Sequence, residues 1–518
     1  MLFSCFLLIQ AYSLRGNSYG YDTKKIPRFA EDLDRGLVVI NTQTDAFLSW
    51  RFLITDDDDI AFNVYRREEN CQFEKLNTDL ITKATIFRDK SVDKTKNNEY
   101  FVESIVKGQS VENSTLYLLK ANTPNCACYK IGLHKGCYIK TVWVGDLNGD
   151  GKFDFVIARN CVDAVQSIEA YLSDGTYLWN ISLGHNSEYQ YYIEPGSTAI
   201  NVGHLDGVNI YDLDGDGKGE VYLRIANNVT FGDGYVFRHE NDDDQFIASI
   251  DGMTGKLIGL AEVPSDFMEF GPRGPQFGIG YLDGKKPSLV ACLINRDNPN
   301  YEFHEIVAAY NYDYYNNSAE KVFGREWYWP RKNCLCAEAH QFRIIDVDYD
   351  GKDEIINIGF VLNGNGTMRY TLDDAGIIHG DRFYVGKFNK DDKVMMGYGI
   401  QQDNPKFMID YYYDASMGEM KWQHFTDKLV DVGRGNIGDF DPSRPGLEVY
   451  SPYGMYNAKT GELISTKTEP FFPSNNCYWD GTLETNCFDR SYIQKWDQTK
   501  QEKVRVYTAY KAYTDAYG

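Results

Sequence analysis

Positive charge and long apolar runs are both scarce in this chain of 518 residues. It carries 75 acidic against 53 basic residues and a formal net charge of -22, which argues against a nucleic-acid partner. After the amino terminus, no stretch is apolar enough to form a transmembrane helix, so no membrane span is expected. The sequence also lacks a phosphate-loop motif, so it gives no sign of phosphate-loop nucleotide chemistry.

Zinc-binding spacings are missing among the 11 cysteines. Disulfide bonds are therefore their expected use, with a connectivity that the sequence leaves open. An even number remains if Cys5 is removed with a signal peptide, which suits pairing. The clustered cysteines are Cys126 and Cys128 with Cys137, Cys334 with Cys336, and Cys477 with Cys487.

The amino terminus indicates export. Residues 1–13 contain a short apolar run that is too short to cross a bilayer and resembles the hydrophobic region of a secretory signal. We therefore expect a secreted glycoprotein, or one in the endomembrane or lysosomal lumen. Sequons for asparagine glycosylation agree with this, at Asn113, Asn180, Asn228, Asn316 and Asn365.

Three copies of one acidic loop stand out from the rest of the chain. Each copy has acidic or amide side chains at positions 1, 3, 5 and 9 and a glycine at position 6. Flexible loops of this kind surround a hard cation with oxygen atoms, so the predicted ligand is Ca²⁺. The predicted metal ligands are Asp146, Asn148, Asp150 and Asp154 in the first loop, Asp212, Asp214, Asp216 and Glu220 in the second, and Asp346, Asp348, Asp350 and Glu354 in the third.

These loops are not EF-hands. Position 12, where an EF-hand requires glutamate, holds Ile157, Leu223 and Asn357. The segments that follow the loops are rich in β-branched and aromatic residues, which predict strands instead of helices. Each loop is therefore expected to connect two β-strands. Its expected role is to stabilise the fold, and a part in the chemistry is the less favoured interpretation.

The chain is predicted to be all-β with two domains. Residues 27–120 contain short strand-like segments between polar turns, which favours a fibronectin type III-like β-sandwich. Residues 138–518 repeat the acidic loop at blade-sized intervals, including degenerate copies that begin at residues 281, 387 and 439. An apolar strand follows each copy, which favours a calcium-binding β-propeller over an array of sandwiches.

Candidate functional residues precede successive repeats. His340 lies just before the third full loop, and Arg434 lies just before the degenerate loop at residue 439. His379 and Asp381 precede the degenerate loop between them. Equivalent positions in neighbouring blades meet at one end of a propeller axis, so these side chains are expected to form a site for an anionic, metal-bridged ligand. A single histidine before a strand is more often structural. The recurrence of polar residues at the same place in consecutive repeats is what favours a functional role.

Short motifs occur in a fixed order from about residue 28 to about residue 510. They are Asp34-Arg-Gly-Leu-Val, Phe47-Leu-Ser-Trp-Arg, Ile60-Ala-Phe-Asn-Val-Tyr-Arg, Val144-Gly-Asp-Leu-Asn-Gly-Asp-Gly, Tyr211-Asp-Leu-Asp-Gly-Asp-Gly-Lys, Tyr281-Leu-Asp-Gly with Pro287-Ser-Leu-Val, Asp346-Val-Asp with Gly351-Lys-Asp-Glu-Ile, His379-Gly-Asp, Gly433-Arg-Gly, Asp441-Pro-Ser-Arg-Pro-Gly-Leu-Glu-Val and Trp479-Asp-Gly. In content and order they resemble the rhamnogalacturonan lyases of polysaccharide lyase family 11.

The resemblance implies a fibronectin-like domain followed by an eight-bladed propeller, whose last part is expected to be incomplete in this chain. It implies a secreted, monomeric endolyase that cleaves the backbone of rhamnogalacturonan I in pectin by Ca²⁺-assisted β-elimination, with several bound ions. By position, His340, His379 and Asp381 match the family's metal and substrate cluster, with Asp381 as a metal ligand. Arg434 matches its active-site arginine, so the resemblance implies that all four are catalytic.

Departures from the family pattern keep an alternative open. Gln401 and Gln402 stand where the family has a His-Glu pair, and the family's Asn-Gly-Thr-Lys segment, whose lysine is a candidate base, does not follow Tyr510. The residues after Tyr450 leave room for about one more blade. The alternative is a non-catalytic, calcium-dependent propeller that binds pectin or another glycan. An integrin-like adhesion module fits the acidic loops but not the ordered motifs.

Overall fold

Strands dominate the computed structural model, in which only two short 3-10 helices occur among the described residues, at His185–Ser187 and Met268–Phe270. None of the helices in this described part could span a membrane. The structure describes residues 28–53, 55–57, 59–125, 131–161, 164–188, 207–296, 303–312, 322–332, 339–466, 475–477, 484–489 and 492–508. The predicted signal segment therefore lies outside the described residues, as do Cys126, Cys128, Cys334, Cys336 and Asn316.

The amino-terminal strands form a β-sandwich. One sheet has the order β1-β2-β5, and the other has the order β4-β3-β6-β7 with β8 added to β6. Alternate residues of the strands point inward, and the fully buried Trp50 meets Phe62 edge to face, with ring centroids 5.4 Å apart. The strands are β1 (Val38–Asn41), β2 (Ala46–Ser49), β3 (Ala61–Glu68), β4 (Glu74–Lys75), β5 (Ile86–Asp89), β6 (Asn98–Val106), β7 (Gln109–Asn113) and β8 (Tyr117–Leu119).

The remaining strands form seven four-stranded antiparallel sheets within the described residues, each a simple meander. The first three sheets are β9 (Tyr138–Gly145), β10 (Asp154–Asn160), β11 (Ser167–Tyr171) and β12 (Tyr177–Ser182); β13 (Val208–Tyr211), β14 (Glu220–Ile225), β15 (Phe246–Ile250) and β16 (Leu257–Glu262); and β17 (Gly274–Gly280), β18 (Ser288–Arg296), β19 (Phe303–Tyr312) and β20 (Phe323–Pro330). The fourth and fifth are β21 (Arg343–Ile345), β22 (Glu354–Asn357), β23 (Phe360–Leu362) and β24 (Met368–Thr371); and β25 (Phe383–Gly386), β26 (Met396–Ile400), β27 (Met408–Asp414) and β28 (Glu419–Phe425). The sixth and seventh are β29 (Asn436–Gly438), β30 (Glu448–Ser451), β31 (Gly454–Asn457) and β32 (Leu463–Ser465); and β33 (Asn475–Cys477), β34 (Asn486–Asp489), β35 (Tyr492–Asp497) and β36 (Glu502–Thr508).

The first strands of successive sheets lie side by side, from β9 through β13, β17, β21, β25 and β29 to β33. This is the arrangement of propeller blades around an axis, and it confirms the predicted all-β sandwich and propeller. The seven sheets found among the described residues are one fewer than the eight blades that the family resemblance implies. The expectation of one more blade after Tyr450 is met by the seventh sheet.

Apolar side chains fill the spaces between neighbouring sheets. In the second sheet, Val221 and Leu223 face the first sheet, whereas Tyr222 and Ile247 face the third, and all four are fully buried. Complete burial of such a side chain contributes about 1.5–3 kcal/mol, so each sheet is stabilised mainly by its two neighbours. This explains why apolar runs follow the acidic loops in the sequence.

All six acidic or degenerate loops lie between the first and second strands of the first six sheets. We call this end of the sheets the loop end and the opposite end the site end. The amino-terminal strap, residues 28–34, crosses the loop end. Its backbone amides at Phe29 and Asp34 donate to carbonyls in the loops of the third and first sheets, 2.8 and 3.1 Å away. Arg28 pairs with Asp353 of the fourth sheet, and Glu31 accepts a hydrogen bond from the second loop, so the strap ties four sheets together.

The described residues contain one disulfide, whose pairing the sequence left open, and one clustered pair of cysteines that is not bonded to each other. Cys137 and Cys161 form a disulfide across the start of the first sheet. Cys477 and Cys487 do not form a disulfide with each other. In the register of β33 and β34, Asn476 stands opposite Cys487, so the two cysteines project from opposite faces of the sheet and cannot meet.

His424 joins the fifth sheet to the sixth and gives a pH-dependent prediction. Its Nδ1 lies 2.7 Å from the buried Asp410 carboxylate and its Nε2 lies 3.0 Å from the carbonyl oxygen of Gly461. Burial opposes protonation, but the hydrogen bond and charge of Asp410 outweigh it and raise the pKa of His424. The extra stability is therefore fully present below the imidazole's ordinary pKa of about 6.5 and is lost as pH rises through the raised value.

We expect His424→Gln to lower the free energy of unfolding by about 1–3 kcal/mol at pH 5.5 and by less at pH 8.5. Urea unfolding at the two pH values measures this difference. The exposed His185 is a control, since His185→Gln should change stability by about 0.5 kcal/mol or less at both values. A His424 effect that is equal at both pH values would contradict the assignment.

Candidate active site

Four polar side chains meet at the site end, as the repeat positions predict. His340 precedes β21, the segment carrying His379 and Asp381 precedes β25, and Arg434 precedes β29. Because these first strands are neighbours in the propeller, the segments before them converge. Three sheets thus supply one cluster, which we call the histidine cluster: His340, His379, Asp381 and Arg434.

Asp381 is the centre of the histidine cluster. Its Oδ1 lies 3.5 Å from Nε2 of His340 and 3.8 Å from Nε2 of His379. Its Oδ2 accepts a hydrogen bond from Nη1 of Arg434. The two imidazole rings are nearly perpendicular, with centroids 5.1 Å apart. One carboxylate oxygen therefore faces two imidazoles while the other faces a guanidinium.

The cluster is open to a ligand on the His340 side. The side chain of His340 is 54% exposed, whereas Asp381, at 21%, is mostly covered. Arg434 also donates to the carbonyl oxygen of Gly433, 2.7 Å away, which fixes the guanidinium against the backbone. An anion that reaches His340 would therefore meet a positioned arginine and a carboxylate already bonded to it.

The third sheet supplies two positioning contacts that the sequence did not suggest. The ring of Phe303 stacks on His379, with centroids 5.8 Å apart and an angle of 11° between the planes. Nε2 of Gln276 donates to the carbonyl oxygen of His340 at 2.5 Å. Both residues lie far along the chain from their partners, and neither belongs to a motif, so only the repeat order places them near the site.

Gln401 and Gly380 shape the backbone that carries His379. The fully buried Gln401 side chain accepts from the amide of Ile378 at 2.8 Å and donates to its carbonyl oxygen at 2.9 Å. A Cβ on Gly380 would lie 2.1 Å from the carbonyl oxygen of Ile400. The close approach that requires this glycine is therefore to the backbone of β26. Gln401 therefore supports the backbone segment that carries His379.

The three full acidic loops lie at the loop end, whereas the histidine cluster lies at the other end of the first strands. In the first loop, Asp146 accepts hydrogen bonds from the amides of Gly149, Asp150 and Gly151 at 2.6–3.2 Å. Asp212 accepts the equivalent three in the second loop. The last acidic residue of each loop opens the second strand, and one of its oxygens accepts the amide of the residue after position 1. All three loops thus connect two β-strands, as predicted, and share these hydrogen bonds.

The loops differ in how closely they gather their carboxylates. Ligand atoms of Asp212, Asp214, Asp216 and Glu220 all lie within 4.8 Å of one another in the second loop. The third loop gathers Asp346, Asp348 and Glu354, with Arg369 paired to the latter two and Asp350 outside the group. The first-loop ligands Asp146, Asn148, Asp150 and Asp154 share the fold of the loop but are not gathered in this way.

Burial disfavours the charged form of the loop carboxylates. It raises the pKa of Asp154 to about 6, of Glu354 to about 7 and of Glu220 to about 8. Neighbouring aspartates add to the rise because like charges face each other at close range. Buried, crowded oxygen donors of this kind fit Ca²⁺, whose charge offsets their repulsion.

The donor set of the histidine cluster is different. Two imidazole nitrogens and one carboxylate oxygen all lie within 4.8 Å of one another at His340, His379 and Asp381. Such a set fits a divalent cation that keeps open positions for further ligands. Since Ca²⁺ takes six to eight oxygens, a substrate carboxylate and water would have to supply most of them here.

Comparison with known proteins assigns the two parts of the chain to one family. Residues 28–117 match the family described as Rhamnogalacturonan I lyases beta-sheet domain. Residues 119–517 match Rhamnogalacturonan lyase family 11, C-terminal domain, which is well over half of the chain. The chain belongs to rhamnogalacturonan lyase family 11. It is accordingly a polysaccharide lyase, and the family resemblance of its ordered motifs is confirmed.

Two curated members of family 11 are similar along most of their length. Rhamnogalacturonan endolyase YesW of Bacillus subtilis (strain 168) is 30% identical over 522 residues, covering 93% of this chain and 78% of that protein. Rhamnogalacturonan exolyase YesX of the same organism is 29% identical over 526 residues, covering 91% and 80%. Endolytic and exolytic relatives thus match this family 11 member about equally well.

Solved family 11 structures share the fold. The crystal structure of rhamnogalacturonan lyase YesW superposes with a TM-score of 0.76 and 27% identity, covering 95% of this chain and 85% of that one. A Bacillus licheniformis rhamnogalacturonan lyase gives a TM-score of 0.75 and 25% identity, covering 93% and 84%. The sandwich and the propeller sheets therefore belong to a fold already seen in this family.

Proposed function

We propose that this family 11 member is an endolyase that cleaves the rhamnose–galacturonate backbone of rhamnogalacturonan I by β-elimination. The observation that carries the proposal is the histidine cluster, in which Asp381 joins two histidines and Arg434 at the site end. Family membership supports the reaction class. The size of the products tests whether cleavage is endolytic.

The chemistry requires charge stabilisation next to a carboxylate. In β-elimination, the proton on C5 of a galacturonate goes to a base, and the electrons of the C5–H bond form a C4=C5 double bond. The C4–O bond to the neighbouring sugar breaks, and the departing oxygen keeps the bonding electrons and takes up a proton. Negative charge builds up on the uronate carboxyl group as the proton leaves, so donors placed there lower the barrier. Arg434, held by Asp381 and the carbonyl oxygen of Gly433, is proposed to bind this carboxylate and to assist proton removal.

His340, His379 and Asp381 are the proposed ligands of a cation at the site. When bound, Ca²⁺ would supply positive charge that stabilises the uronate carboxylate and lets an acidic protein hold an acidic polymer. Phe303 and Gln276 hold the two histidines in place through ring stacking and a backbone hydrogen bond. His340, which is the most exposed of the three ligands, is proposed to contact the substrate.

We propose that the protein acts outside the cell or in an endomembrane lumen as a monomer. The Cys137–Cys161 disulfide supports an oxidising compartment. Calcium binding at the loop end is part of the same proposal, because calcium outside cells is concentrated enough to fill even weak sites.

A non-catalytic pectin-binding propeller is the second candidate. It is favoured by Gln401 and Gln402, which stand where the family resemblance implies a His-Glu pair. Gln401 supports the backbone of Ile378 instead of offering a ligand. Such a protein would keep the loop-end sites and the cationic Arg434 but would release no product. It would still be retained on rhamnogalacturonan in the presence of calcium.

The deciding experiment measures the ultraviolet absorbance of unsaturated uronate during incubation with rhamnogalacturonan I, with calcium and after chelation. The lyase proposal expects product that depends on calcium, and chromatography should show a broad range of intermediate sizes early in the reaction. Only small fragments would indicate exolytic cleavage. Retention on the polymer without product, from a protein shown to be folded by circular dichroism, would favour the binding protein.

A further inference from the structure

Arg382 lies directly beside the histidine cluster in the chain. It follows Asp381 and immediately precedes β25, so both residues are at the site end of the fifth sheet. The carbonyl oxygen of Arg382 accepts the amide of Ile400 at 3.1 Å, which extends the pairing of β25 with β26 by one residue. The sheet therefore fixes the backbone from which this arginine projects.

Strand alternation directs the Arg382 side chain toward the sixth sheet. Phe383 packs among apolar residues of the fourth sheet, whereas the hydroxyl of Tyr384 donates to the carbonyl oxygen of Gly435, just before β29, at 3.1 Å. Successive side chains of a strand project to opposite faces, so Arg382 shares the face of Tyr384. Since Gly435 follows Arg434 in the chain, the two arginines lie on the same side of the site, between the fifth and sixth sheets.

Among the described residues, no hydrogen-bond acceptor reaches the Nε of Arg382, which is shielded from solvent on a half-buried side chain. The nearby carboxylates are engaged elsewhere, Asp381 with Arg434 and Asp431 with Gln402. A guanidinium is always charged in proteins, so covering it without an acceptor costs free energy. In a chain with 75 acidic residues, this arrangement leaves one positive charge to be matched by a ligand.

The charge balance at the site end shows which ligand fits. Arg434 and Asp381 bear opposite charges and are bonded to each other, so together they contribute no net charge. Arg382 adds one positive charge beside this neutral pair. A protein of net charge -22 needs such a local positive charge to hold an acidic polymer.

We propose that Arg382 binds the carboxylate of a galacturonate beside the histidine cluster and so sets the preference of the site for an acidic sugar. The inference rests on the proposed function, because it takes its ligand from the same polysaccharide. A guanidinium and a carboxylate form two parallel hydrogen bonds, which would give Nε its acceptor. A neutral sugar lacks the charged pair of oxygens, so it would satisfy the guanidinium less well.

Binding of a disaccharide tests the proposal without any bond being cut. The probe is galacturonate linked to rhamnose, with a free hydroxyl on C4 of the galacturonate, so it has no C4–O bond to a departing sugar. The reference is the carboxyl-reduced disaccharide, in which galactose replaces galacturonate. Isothermal titration calorimetry on the full-length protein gives the ratio of the two Kd values, and the wild type is expected to prefer the acid.

Arg382→Gln is expected to reduce this preference by about tenfold or more. Arg382→Lys should reduce it less, because the charge is kept while the planar fork is lost. The control Arg325→Gln changes an exposed arginine on β20 and should keep the wild-type ratio. A wild-type protein without a preference for the acid, or an Arg382→Gln protein with the wild-type preference, would overturn the proposal.

Thermal unfolding separates ligand binding from a structural role. Because Arg382→Gln removes a half-covered charge, its Tm should stay within about 2 °C of the wild type or rise. A structural arginine would instead give a lower Tm and an equal loss of affinity for both disaccharides, which would count against the proposal.

The same measurements distinguish this inference from the lyase proposal. Binding that depends on Arg382, in a protein that releases no unsaturated uronate, would refute the lyase and keep the inference. Product formation together with an unchanged Kd ratio in Arg382→Gln would do the reverse. In an active enzyme, Arg382→Gln should raise KM on rhamnogalacturonan about tenfold and change kcat by about threefold or less, because the carboxylate is bound before and during the reaction.

Discussion

Replacing Asp381 by asparagine is expected to lower kcat/KM on rhamnogalacturonan by about 100-fold or more. The substitution keeps the shape of the side chain but removes the charge that faces His340, His379 and Arg434 together. It weakens cation binding and frees the arginine at the same time. Initial rates of unsaturated uronate formation at several calcium concentrations measure the effect, and part of the loss should be recovered at high calcium.

Asp431→Asn is the matched control for this prediction. Asp431 is an exposed aspartate just before Arg434 and contacts only the side chain and backbone of Gln402 in the described hydrogen bonds. Its removal should change kcat/KM by about twofold or less. If Asp381→Asn kept more than about a tenth of the wild-type value with an unchanged Tm, Asp381 would not be the centre of the site.

Removal of calcium is expected to lower Tm by about 5 °C. A site saturated at about 100 times its Kd contributes about 2.7 kcal/mol, so two well-formed loops contribute about 5 kcal/mol to the folded state. Without the ion, the crowded carboxylates of Glu220 and Glu354 repel their neighbours inside the protein. Differential scanning calorimetry at pH 7, with calcium and after chelation, measures the change.

Glu220→Gln separates this effect from catalysis. It should remove about half of the calcium-dependent rise in Tm, because the second loop gathers four carboxylates around one point. Glu262→Gln, an exposed change in β16 of the same sheet, should leave that rise intact. Below its own Tm, Glu220→Gln should retain most of the lyase activity, since the loop and the histidine cluster lie at opposite ends of the sheets. Equal Tm shifts in the two variants would contradict the calcium role.

The acidic loops could be predicted from the sequence because their geometry is local. Position 1, the glycine at position 6 and the closing carboxylate lie within nine residues, so their spacing alone specifies a turn between two strands. The convergence of His340, His379 and Arg434 could also be predicted, since a repeat converts sequence order into spatial order. Neither inference needed a contact between distant, unrelated segments.

The rest could not be read from the sequence because it depends on packing between sheets. Phe303 reaches His379 from another sheet, and nothing in its sequence surroundings marks it. Gln401 and Gln402 were interpreted as the loss of a His-Glu pair, whereas the burial of Gln401 makes it a support for Ile378. The cysteines Cys477 and Cys487 are close in sequence, yet strand register sends them to opposite faces.

The amino-terminal strap has a consequence for where the sandwich domain is attached. Residues 28–34 anchor the sandwich domain through the loop end, where Arg28 and Asp34 bind the loops of separate sheets. The site end is left free of that attachment. The attachment of the sandwich and the histidine cluster therefore lie at opposite ends of the propeller sheets. A fusion partner joined to the sandwich should accordingly leave the catalytic rate unchanged, because the attached domain is held at the end away from the cluster.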